Sequence, residues 1–518
     1  MADASPPPKP ERPSHRAVVP IVALVFLVAV TNVTSYDTWV HLSLGRWIAE
    51  HHAVPRTNLL SHTQPERPTV DHQWLFQLGL YTVWRWVGVQ GAILLKAAVV
   101  AAAFGFAAAT ALRKGAHPVL TGIVALVAAY AARFRFTLRP QVVAFLLLSV
   151  YLYVLERWRA GRSRGLLVLL PLQVLWANVH GSAVVGWALT AAYAAGEGLR
   201  AVTARRLRDV VPAPRPARAV ALLGLLAAVL LPLTLLNANG ARVLTEPFAL
   251  ARAQQAAGLK EFLLDRASLP WAELTGRHLF FSILAVVGLV TLAGSLVRRD
   301  WTEAGLFAGL LAAAVHSQRF VGLFAVAGAP VVARNLSAMA AALRRGRAAR
   351  PPRPAPTVAA LVAACMLMEL AARGATGEQP SGLGLAPGLF PEQEVALVQE
   401  RYPHATLFNE WEHGGYIAWH TRRPVFLDSR GLLAYDAGLV RRYVEAWTSR
   451  ERYEELMAAC GASVALVERP PLRRHFRDDP RWVRVHQGPV CSVFVRQDSE
   501  AGEPTPGSQG HGGPRAPR

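Results

Sequence analysis

The stretch Ala17-Val-Val-Pro-Ile-Val-Ala-Leu-Val-Phe-Leu-Val-Ala-Val-Thr-Asn-Val33 carries no charge and is about as long as a helix that crosses a lipid bilayer. No small-residue cleavage motif ends this stretch, and it runs straight into Ser35-Tyr36-Asp37. It therefore predicts a retained first membrane span, not a signal peptide that is removed.

The composition of the rest of the chain indicates more spans of the same kind. The chain has 518 residues, of which 53% are hydrophobic and only 17% are charged, whereas soluble domains average about 25% charged residues. Apolar runs predict a mainly α, polytopic transmembrane helical bundle of about eleven spans. The predicted spans are 17–35, 89–112, 118–132, 139–155, 165–177, 181–198, 219–237, 279–297, 302–316, 320–338 and 357–373.

The positions of the basic residues predict the topology. The formal net charge is +21, and the arginines cluster in every second loop, which is the positive-inside pattern of membrane proteins. This distribution argues against a nucleic-acid partner and for a membrane-lipid environment. The predicted inside clusters begin at Arg113, Arg157, Arg200, Arg298 and Arg344. An odd number of spans then places the N-terminus inside and the C-terminal region outside.

The predicted domain order follows from changes in composition. Residues 1–16 form a disordered cytoplasmic tail, and 17–373 form the transmembrane domain, with 36–88 as the first extracytoplasmic loop. Short amphipathic helices are expected in this loop, lying at the membrane interface. A Gly/Pro-rich linker covers 374–391, a soluble extracytoplasmic α/β domain covers 392–497, and 498–518 form a disordered tail.

Alternating short patterns predict the α/β fold of that soluble domain. Strands are expected at 405–408, 424–427, 463–467 and 490–495, and helices at 394–402, 439–448 and 450–460. Cys460 and Cys491 both fall in this domain. They form either a disulfide, which an oxidising compartment would permit, or two small buried residues in strands, which is at least equally favoured.

Two carboxylates of the first outer loop are candidate catalytic residues. Asp37 follows the first span directly, so it is held near the membrane surface, where it could act as a general base. The alternative is a helix cap or a salt-bridge partner of Arg46. Asp71 is the candidate second acid, although capping of the next helix is the favoured interpretation.

Basic residues at outer helix ends form the complementary set. A guanidinium binds phosphate through a planar fork, which suits an anionic leaving group. Snorkelling to lipid head groups is the alternative, but outside loops are expected to be poor in arginine. Lys96, inside the second span, either snorkels outward or faces a polar cavity. The candidate donor-phosphate residues are Arg133, Arg135, Arg139, Arg319 and Lys96.

Further polar residues complete the candidate set. Polar groups in tight outer turns must face protein, water or ligand, so they are expected to line a cavity or to contact an acceptor. The cavity residues are His41, His72, Asn178, His180 and His316. The candidate site of the C-terminal domain comprises Glu410, Gly414, Gly415, Asp428 and Arg430, for which a structural salt bridge between Asp428 and Arg430 is equally favoured. No zinc motif is present.

Several of these residues belong to patterns that resemble bacterial multi-spanning proteins of the GT-C glycosyltransferase type, in an uncharacterised subgroup. The resemblance covers most of the chain. The patterns are Asp37-x-Trp39-x-His41-Leu-x-x-Gly45-Arg46, Val54-Pro55, Leu60-Ser61-His-Thr63, His72-x-Trp74-Leu75, Trp176-x-Asn178-x-His180-Gly181 and Gly414-Gly415-Tyr416 through to Asp428-x-Arg430.

The resemblance implies an enzyme of the bacterial inner membrane that takes a sugar from a polyprenyl-phosphate donor, as protein O-mannosyltransferases and aminoarabinose transferases do. Their acidic residue of the first outer loop corresponds to Asp37, and a second acid would correspond to Asp71. Similar proteins have Glu at the position of Gln73, a departure that weakens the second assignment. Members with this type of donor need no cofactor or metal, whereas oligosaccharyltransferase-like members need a metal.

Two other functions stay open from the sequence. One is a transporter or flippase for a lipid-linked or anionic substrate, which is expected to show internal repeats and ionisable residues near mid-membrane, and few of these are found. The other is a non-catalytic membrane scaffold whose C-terminal domain binds a partner. The sequence identifies neither the donor sugar nor the acceptor.

Overall fold

The computed structural model describes residues 17–206, 215–257, 269–298, 300–343, 354–376 and 380–497. The chain divides into two compact units. The helical unit comprises Met1–Ser35, Val70–Ala249 and Gly258–Gly384, and the mixed unit comprises Tyr36–Thr69, Leu250–Ala257 and Leu385–Arg518. The two predicted disordered tails, 1–16 and 498–518, lie outside the described residues.

The helices dominate the element order. The helical unit contains α1 Val18–Ala29, α3 Trp74–Arg113, α4 Pro118–Ala132, α5 Gln141–Arg159, α6 Leu169–Val179, α7 Val184–Arg206, α8 Ala217–Leu233, the start of α9 Arg242–Ala257, α10 Leu279–Val297, α11 Trp301–His316, α12 Val321–Leu343 and α13 Pro354–Thr376. The mixed unit contains α2 Asp37–His51, α14 Glu392–Arg401, β1 Leu407–Asn409, α15 Trp411–Thr421, α16 Ala437–Glu445, α17 Arg450–Cys460, β2 Val464–Val467, α18 Pro470–Arg477, β3 Trp482–Gln487 and β4 Ser492–Arg496.

Within the described ranges, five helices are long and apolar enough to cross a membrane. They are Trp74–Arg113, Pro118–Arg135, Gln141–Arg159, Leu279–Val297 and Gln318–Leu343. Val18–Ala29, Gly165–Val179, Ala217–Leu233 and Pro356–Ala372 are apolar but shorter. A helix rises about 1.5 Å per residue, so fewer than about 17 residues do not reach across a hydrocarbon core of about 30 Å without help. The predicted count of eleven spans is therefore not confirmed, although a multi-pass membrane protein is indicated.

The segment α3 includes residues for which the sequence predicts short interfacial helices. Its 40 residues are interrupted at Gly88, where φ is 65° and ψ is −167°. A residue with a side chain rarely adopts this conformation, so glycine allows the chain to change direction there. The segment before Gly88, 74–87, which the sequence assigns to the first outer loop, is thus a short helix of its own, joined to the helix of the second predicted span across a kink.

Small residues bring the helices of the helical unit together. A Cβ atom at Gly288 would lie 2.1 Å from the Phe307 ring, and one at Gly322 would lie 2.2 Å from the Phe145 ring. Phe145, Phe307 and the neighbouring Phe324 are buried. Helices in lipid gain little from hydrophobic burial, so such close packing of rings against glycines is a main source of association.

A buried network of ion pairs joins several helix ends of this unit. Arg159 at the end of α5 contacts Glu156, Glu197 of α7 and Asp300, which precedes α11, at 3.1, 2.9 and 3.0 Å. Lys114, directly after α3, contacts Glu156 at 2.6 Å and Glu303 at 2.5 Å. Buried charges require partners, and here carboxylates from several helices supply them.

The mixed unit is built on a four-stranded sheet with the order β1-β2-β4-β3. β1 runs parallel to β2, and β4 runs antiparallel to both β2 and β3. The rings of Phe408, Tyr453, Phe476 and Phe494 are buried beside this sheet. Phe476 of α18 packs within 5.5 Å of the Phe408 and Phe494 ring centroids and so holds the helix layer on the sheet.

Three details of the predicted α/β fold need correction or completion. Residues 424–427 form no strand and contribute only an isolated bridge between Val425 and Ser61. The exposed strand β3 was not predicted. Cys460 and Cys491 are separate thiols; Cys491 is buried next to β4, whereas Cys460 is half-buried at the end of α17 and does not lie in a strand.

Candidate active site

Asp37 is the first residue of α2, a helix that is followed by His52, whose φ of 52° lies in the left-handed region. Asp37 and His41 are four residues apart, so both lie on one face of this helix. Asp37 is partly buried and His41 is buried. The proposed base and the candidate cavity residue His41 thus share one stiff element of the mixed unit.

The C-terminal candidates Asp428 and Arg430 form a buried ion pair. The Arg430 Nη2 atom lies 2.6 Å from the Asp428 Oδ2 atom, and the Tyr435 hydroxyl donates to the same oxygen at 2.8 Å. Burial opposes the charge, but Arg430 and its hydrogen bonds hold the pKa of the Asp428 carboxyl below its usual value. Arg430 also donates to the Asn58 side chain. These contacts favour the structural interpretation of the pair.

Glu410 is also held by hydrogen bonds and an ion pair. Its Oε1 atom accepts from the backbone N–H groups of Glu468 and Arg469 at 2.8 and 2.6 Å, and the Arg469 guanidinium pairs with its other oxygen. Burial raises the pKa of this carboxyl even though Arg469 favours its charged form. Glu410 therefore anchors the chain just before α18.

The glycine pair Gly414-Gly415 sits within α15, at two close approaches. A Cβ atom at Gly414 would lie 1.9 Å from the Leu427 carbonyl oxygen, and one at Gly415 would lie 2.8 Å from the Val40 Cγ2 atom. Because neither glycine carries a Cβ atom, neighbouring groups can come this close. The approaches are to the chain itself.

Asp71 of the helical unit lies just before α3 and accepts hydrogen bonds from its first residues. Its Oδ1 atom accepts from the Gln73 backbone N–H at 3.2 Å and from the Gln77 side chain at 2.9 Å, at the start of α3. Its carbonyl oxygen accepts from Asn239 at 2.7 Å. A role of Asp71 in catalysis stays a prediction, and so does the capping role, because the N-cap of α3 is Gln73 and no side-chain hydrogen bond caps this helix.

The turn after α6 places His180 among basic residues of the helical unit. The Ser182 backbone N–H donates to the His180 Nδ1 atom at 3.1 Å, so the ring proton of the neutral form is on Nε2. Burial lowers the pKa of His180 to about 3, and the nearby His72, Arg319, Arg135 and Arg139 lower it further in that order. Three of the five candidate donor-phosphate residues therefore act on one histidine.

The neighbouring residues fix this turn against the start of α3. A Cβ atom at Gly181 would lie 3.0 Å from the His72 Nε2 atom, so glycine permits the approach. Burial lowers the pKa of His72 to about 4. The Asn178 Oδ1 atom accepts from the Trp74 indole at 2.7 Å, and its Nδ2 atom donates to the Leu236 carbonyl at 2.7 Å. Asn178 is thus a packing partner.

Lys96 and Arg133 belong to a second cluster in the same unit. Lys96 Nζ donates to the Thr31 hydroxyl at 2.7 Å and to the Thr31 carbonyl at 3.0 Å. Arg133 pairs with Glu369 of α13 at 3.1 Å and donates to Ser381 at 3.0 Å. His316 is exposed at the end of α11. These contacts give Lys96 and Arg133 structural partners, and their role toward a phosphate stays a prediction.

Sequence reasoning missed two residues that matter here. Glu369 is a lone carboxylate within the apolar run predicted at 357–373, a signal that by itself marks an ionisable group needing a partner. Ser182 follows the His180-Gly181 turn and selects the histidine tautomer. In the described ranges, no three His, Cys, Asp or Glu residues come together as metal ligands, and no step proposed below uses a metal.

The comparison with solved structures finds proteins that share the fold of this chain. No family model matches the sequence, and no curated protein matches it.

The oligosaccharyltransferase AglB from Archaeoglobus fulgidus, in complex with an inhibitory peptide and a dolichol phosphate, matches with a TM-score of 0.57 at 12% identity, over 94% of this chain and 75% of that one. ArnT from Cupriavidus metallidurans, bound to undecaprenyl phosphate, matches with a TM-score of 0.51 at 13% identity, over 93% of this chain and 97% of that one.

Proposed function

We propose that this chain is an integral membrane glycosyltransferase that moves a sugar from a polyprenyl-phosphate donor to an extracytoplasmic acceptor. In this proposal Asp37 is the general base, and Arg135, Arg139 and Arg319 bind the donor phosphate. The fold supports a lipid-linked sugar transferase in general, since AglB and ArnT have it. The residue roles rest on the chemistry of the side chains.

The observation that carries the proposal is the cluster of basic groups around His180. Arg135, Arg139 and Arg319 come from two separate outer turns of the sequence, yet all three act electrostatically on one ring. Three guanidinium groups that act on the same ring give this turn a positive potential, which would attract the negative charge of a phosphate. Arginine forks and an Nε2–H donor suit the oxygens of a phosphate.

The reaction follows from these roles. An acceptor hydroxyl oxygen attacks the anomeric carbon of the donor sugar, and the bond from that carbon to the phosphate oxygen breaks. Asp37 takes the hydroxyl proton, while the arginines stabilise the negative charge that develops on the departing lipid phosphate. Attack opposite the leaving group inverts the anomeric configuration.

The topology that this function needs is also part of the proposal. The N-terminus lies inside the bacterial inner membrane, and the mixed unit lies outside. In support, Lys114, Arg159, Arg200 and Arg298, all from predicted inside loops, meet in the one ion-pair network. The residues around His180 all come from predicted outside loops.

The test is sugar transfer by membranes that contain wild type, Asp37→Asn or Glu66→Gln at matched protein levels, supplied with labelled polyprenyl-phosphate sugars. Glu66 is an exposed acid of the same predicted loop and serves as the control. We expect product from wild type and Glu66→Gln, and at least a hundredfold less from Asp37→Asn, because general-base catalysis contributes about 10²–10⁴.

Equal product from wild type and Asp37→Asn would keep a transferase but remove Asp37 from its mechanism. No product from wild type with any donor of this class would sink the proposal and favour the transporter or scaffold functions.

A further inference from the structure

We propose that α15 of the C-terminal region positions Asp37, and that Gly415 is the residue through which it does so. This inference rests on the proposed role of Asp37. It assigns to the C-terminal region a part in the reaction that does not depend on binding a substrate or a partner.

Helix α2 approaches α15 closely at Gly415. A Cβ atom at Gly415 would lie 2.8 Å from the Val40 Cγ2 atom, 3.1 Å from the Val40 backbone nitrogen and 3.3 Å from the Trp39 Cβ atom. The backbone nitrogen cannot rotate away as a side chain can. Because Val40 is three residues after Asp37 on the same helix, a side chain at position 415 would displace the turn that carries Asp37.

Ring contacts and a hydrogen bond also hold α2 along its length. The Trp39 ring packs edge-on against Tyr416 and Phe390, with centroids 4.8 and 5.3 Å apart. Two turns later, the Arg46 guanidinium lies 4.6 Å from the centre of the Trp419 ring, and it donates to the Trp419 carbonyl at 3.3 Å. Contacts at both ends of the interface hold the helix against sliding and rotation.

The two glycines of the pair contact different parts of the mixed unit. Gly414 approaches the Leu427 carbonyl oxygen and the Asp428 Cα atom, which belong to the core of the mixed unit. Gly415 approaches α2. Adding a methyl group at 414 would therefore strain the interior of the C-terminal region, whereas adding one at 415 acts on the placement of α2.

The effect on catalysis should appear in turnover more than in donor binding. Asp37 must meet the acceptor proton within hydrogen-bond reach, and a misplacement of about 1 Å can lower a rate about a hundredfold. The arginines that we propose for the donor phosphate belong to the helical unit and not to α2 or α15, so we expect donor binding to change less than turnover.

The experiment uses the full-length chain in membranes and compares wild type with Gly415→Ala, Gly415→Val and Gly305→Ala. Gly305 lies exposed on α11, and a Cβ atom there meets no atom within 4 Å, so it controls for a glycine-to-alanine change in a helix. We expect kcat to fall about tenfold to a hundredfold for Gly415→Ala, and further for Gly415→Val, with the donor KM changed less than about threefold. Gly305→Ala should match wild type.

Hydrogen exchange on the same proteins gives a readout that needs no activity. In Gly415→Ala the amides of the first turns of α2 should exchange faster, while those of β2, Val464–Val467, stay as protected as in wild type. Adding Val40→Ala, which removes the nearest clashing atom, should restore part of both kcat and protection.

Two results would overturn the inference. One is unchanged exchange in α2, whether or not sugar is transferred. The other is unchanged kcat in Gly415→Ala while Asp37→Asn is inactive. No transfer by wild type would overturn the proposed function instead, and the exchange result would then decide by itself whether Gly415 holds α2.

Discussion

At the scale of the residue, the charge state of His180 and His72 leads to a pH dependence. Their pKa values, about 3 and about 4, lie below the usual 6.5, so both rings are neutral in the folded protein at neutral pH. The unfolded chain binds protons at these residues as the pH falls through 6.5, whereas the folded chain does so only near 4 and below. The folded state should therefore lose stability across this window.

We expect the Tm of the purified protein to fall between pH 7 and pH 4.5, and to fall less steeply in His180→Asn, whose Oδ1 atom can still accept from Ser182. His51→Asn, at an exposed position of α2, should keep the wild-type slope. Added inorganic phosphate should flatten the wild-type curve, because a bound anion favours the protonated rings. Identical slopes in wild type and His180→Asn would contradict the proposed environment.

The residue scale also shows what a single sequence reveals. The adjacency of Asp428 and Arg430 is enough to suggest a salt bridge, and the structure contains it. The partner that ties this pair to the first outer loop, Asn58, is 372 residues away in the chain. Contacts over such separations depend on how the whole chain folds, so local patterns do not predict them.

At the scale of the element, the apolar helices were the most predictable. The predicted spans 118–132 and 279–297 coincide with α4 and α10, because a continuous run of apolar residues of this length has one stable arrangement in lipid. The run 424–427 is equally apolar, but its backbone bonds with the segment around Leu60 and does not extend a sheet. Strand β3 is mostly exposed, so burial left little pattern in its sequence.

The ion-pair network gives the prediction that belongs to the elements. Arg159 bonds three carboxylates from α5, α7 and the start of α11. Replacing it by methionine leaves these buried carboxylates without their shared partner, and removing one member of a buried pair costs about 3–5 kcal/mol. We expect Arg159→Met to lower the stability of the helical unit by about that amount.

The measurement is the free energy of unfolding in mixed micelles, with Arg157→Met as the control. Arg157 lies on the same helix and contacts the face of the Tyr153 ring at 5.7 Å, a contact of about 0.5–1 kcal/mol at an exposed site. Equal losses in the two variants would mean that the network does not hold the helix ends.

At the scale of the whole molecule, the number of membrane crossings is restricted because three separate segments of the chain make up the mixed unit. This unit combines Tyr36–Thr69, Leu250–Ala257 and Leu385–Arg518, and a compact unit cannot be divided by a bilayer. The chain must therefore cross an even number of times between 69 and 250, and again between 257 and 385. The predicted spans meet this condition, with six in the first interval and four in the second.

The helices that are long enough to cross by themselves do not give an even number of crossings in the first interval. Three of them, α3, α4 and α5, fall in the first interval, so at least one more helix between Arg159 and Leu250 must cross. Apolar helices shorter than the bilayer can do so where neighbours cover their ends or the bilayer thins. We therefore expect α6 or α8 to span the membrane.

Reporter fusions test this arrangement. Alkaline phosphatase fused after position 497 should be active and green fluorescent protein should be dark, whereas fusions after position 160, next to Arg159, should show the reverse. A fusion after position 238, beyond α8, should agree with the one after position 497, because an even number of crossings separates them. Fluorescence after position 497 would place Asp37 inside with the rest of the mixed unit, and a base on that side could not act on an extracytoplasmic acceptor.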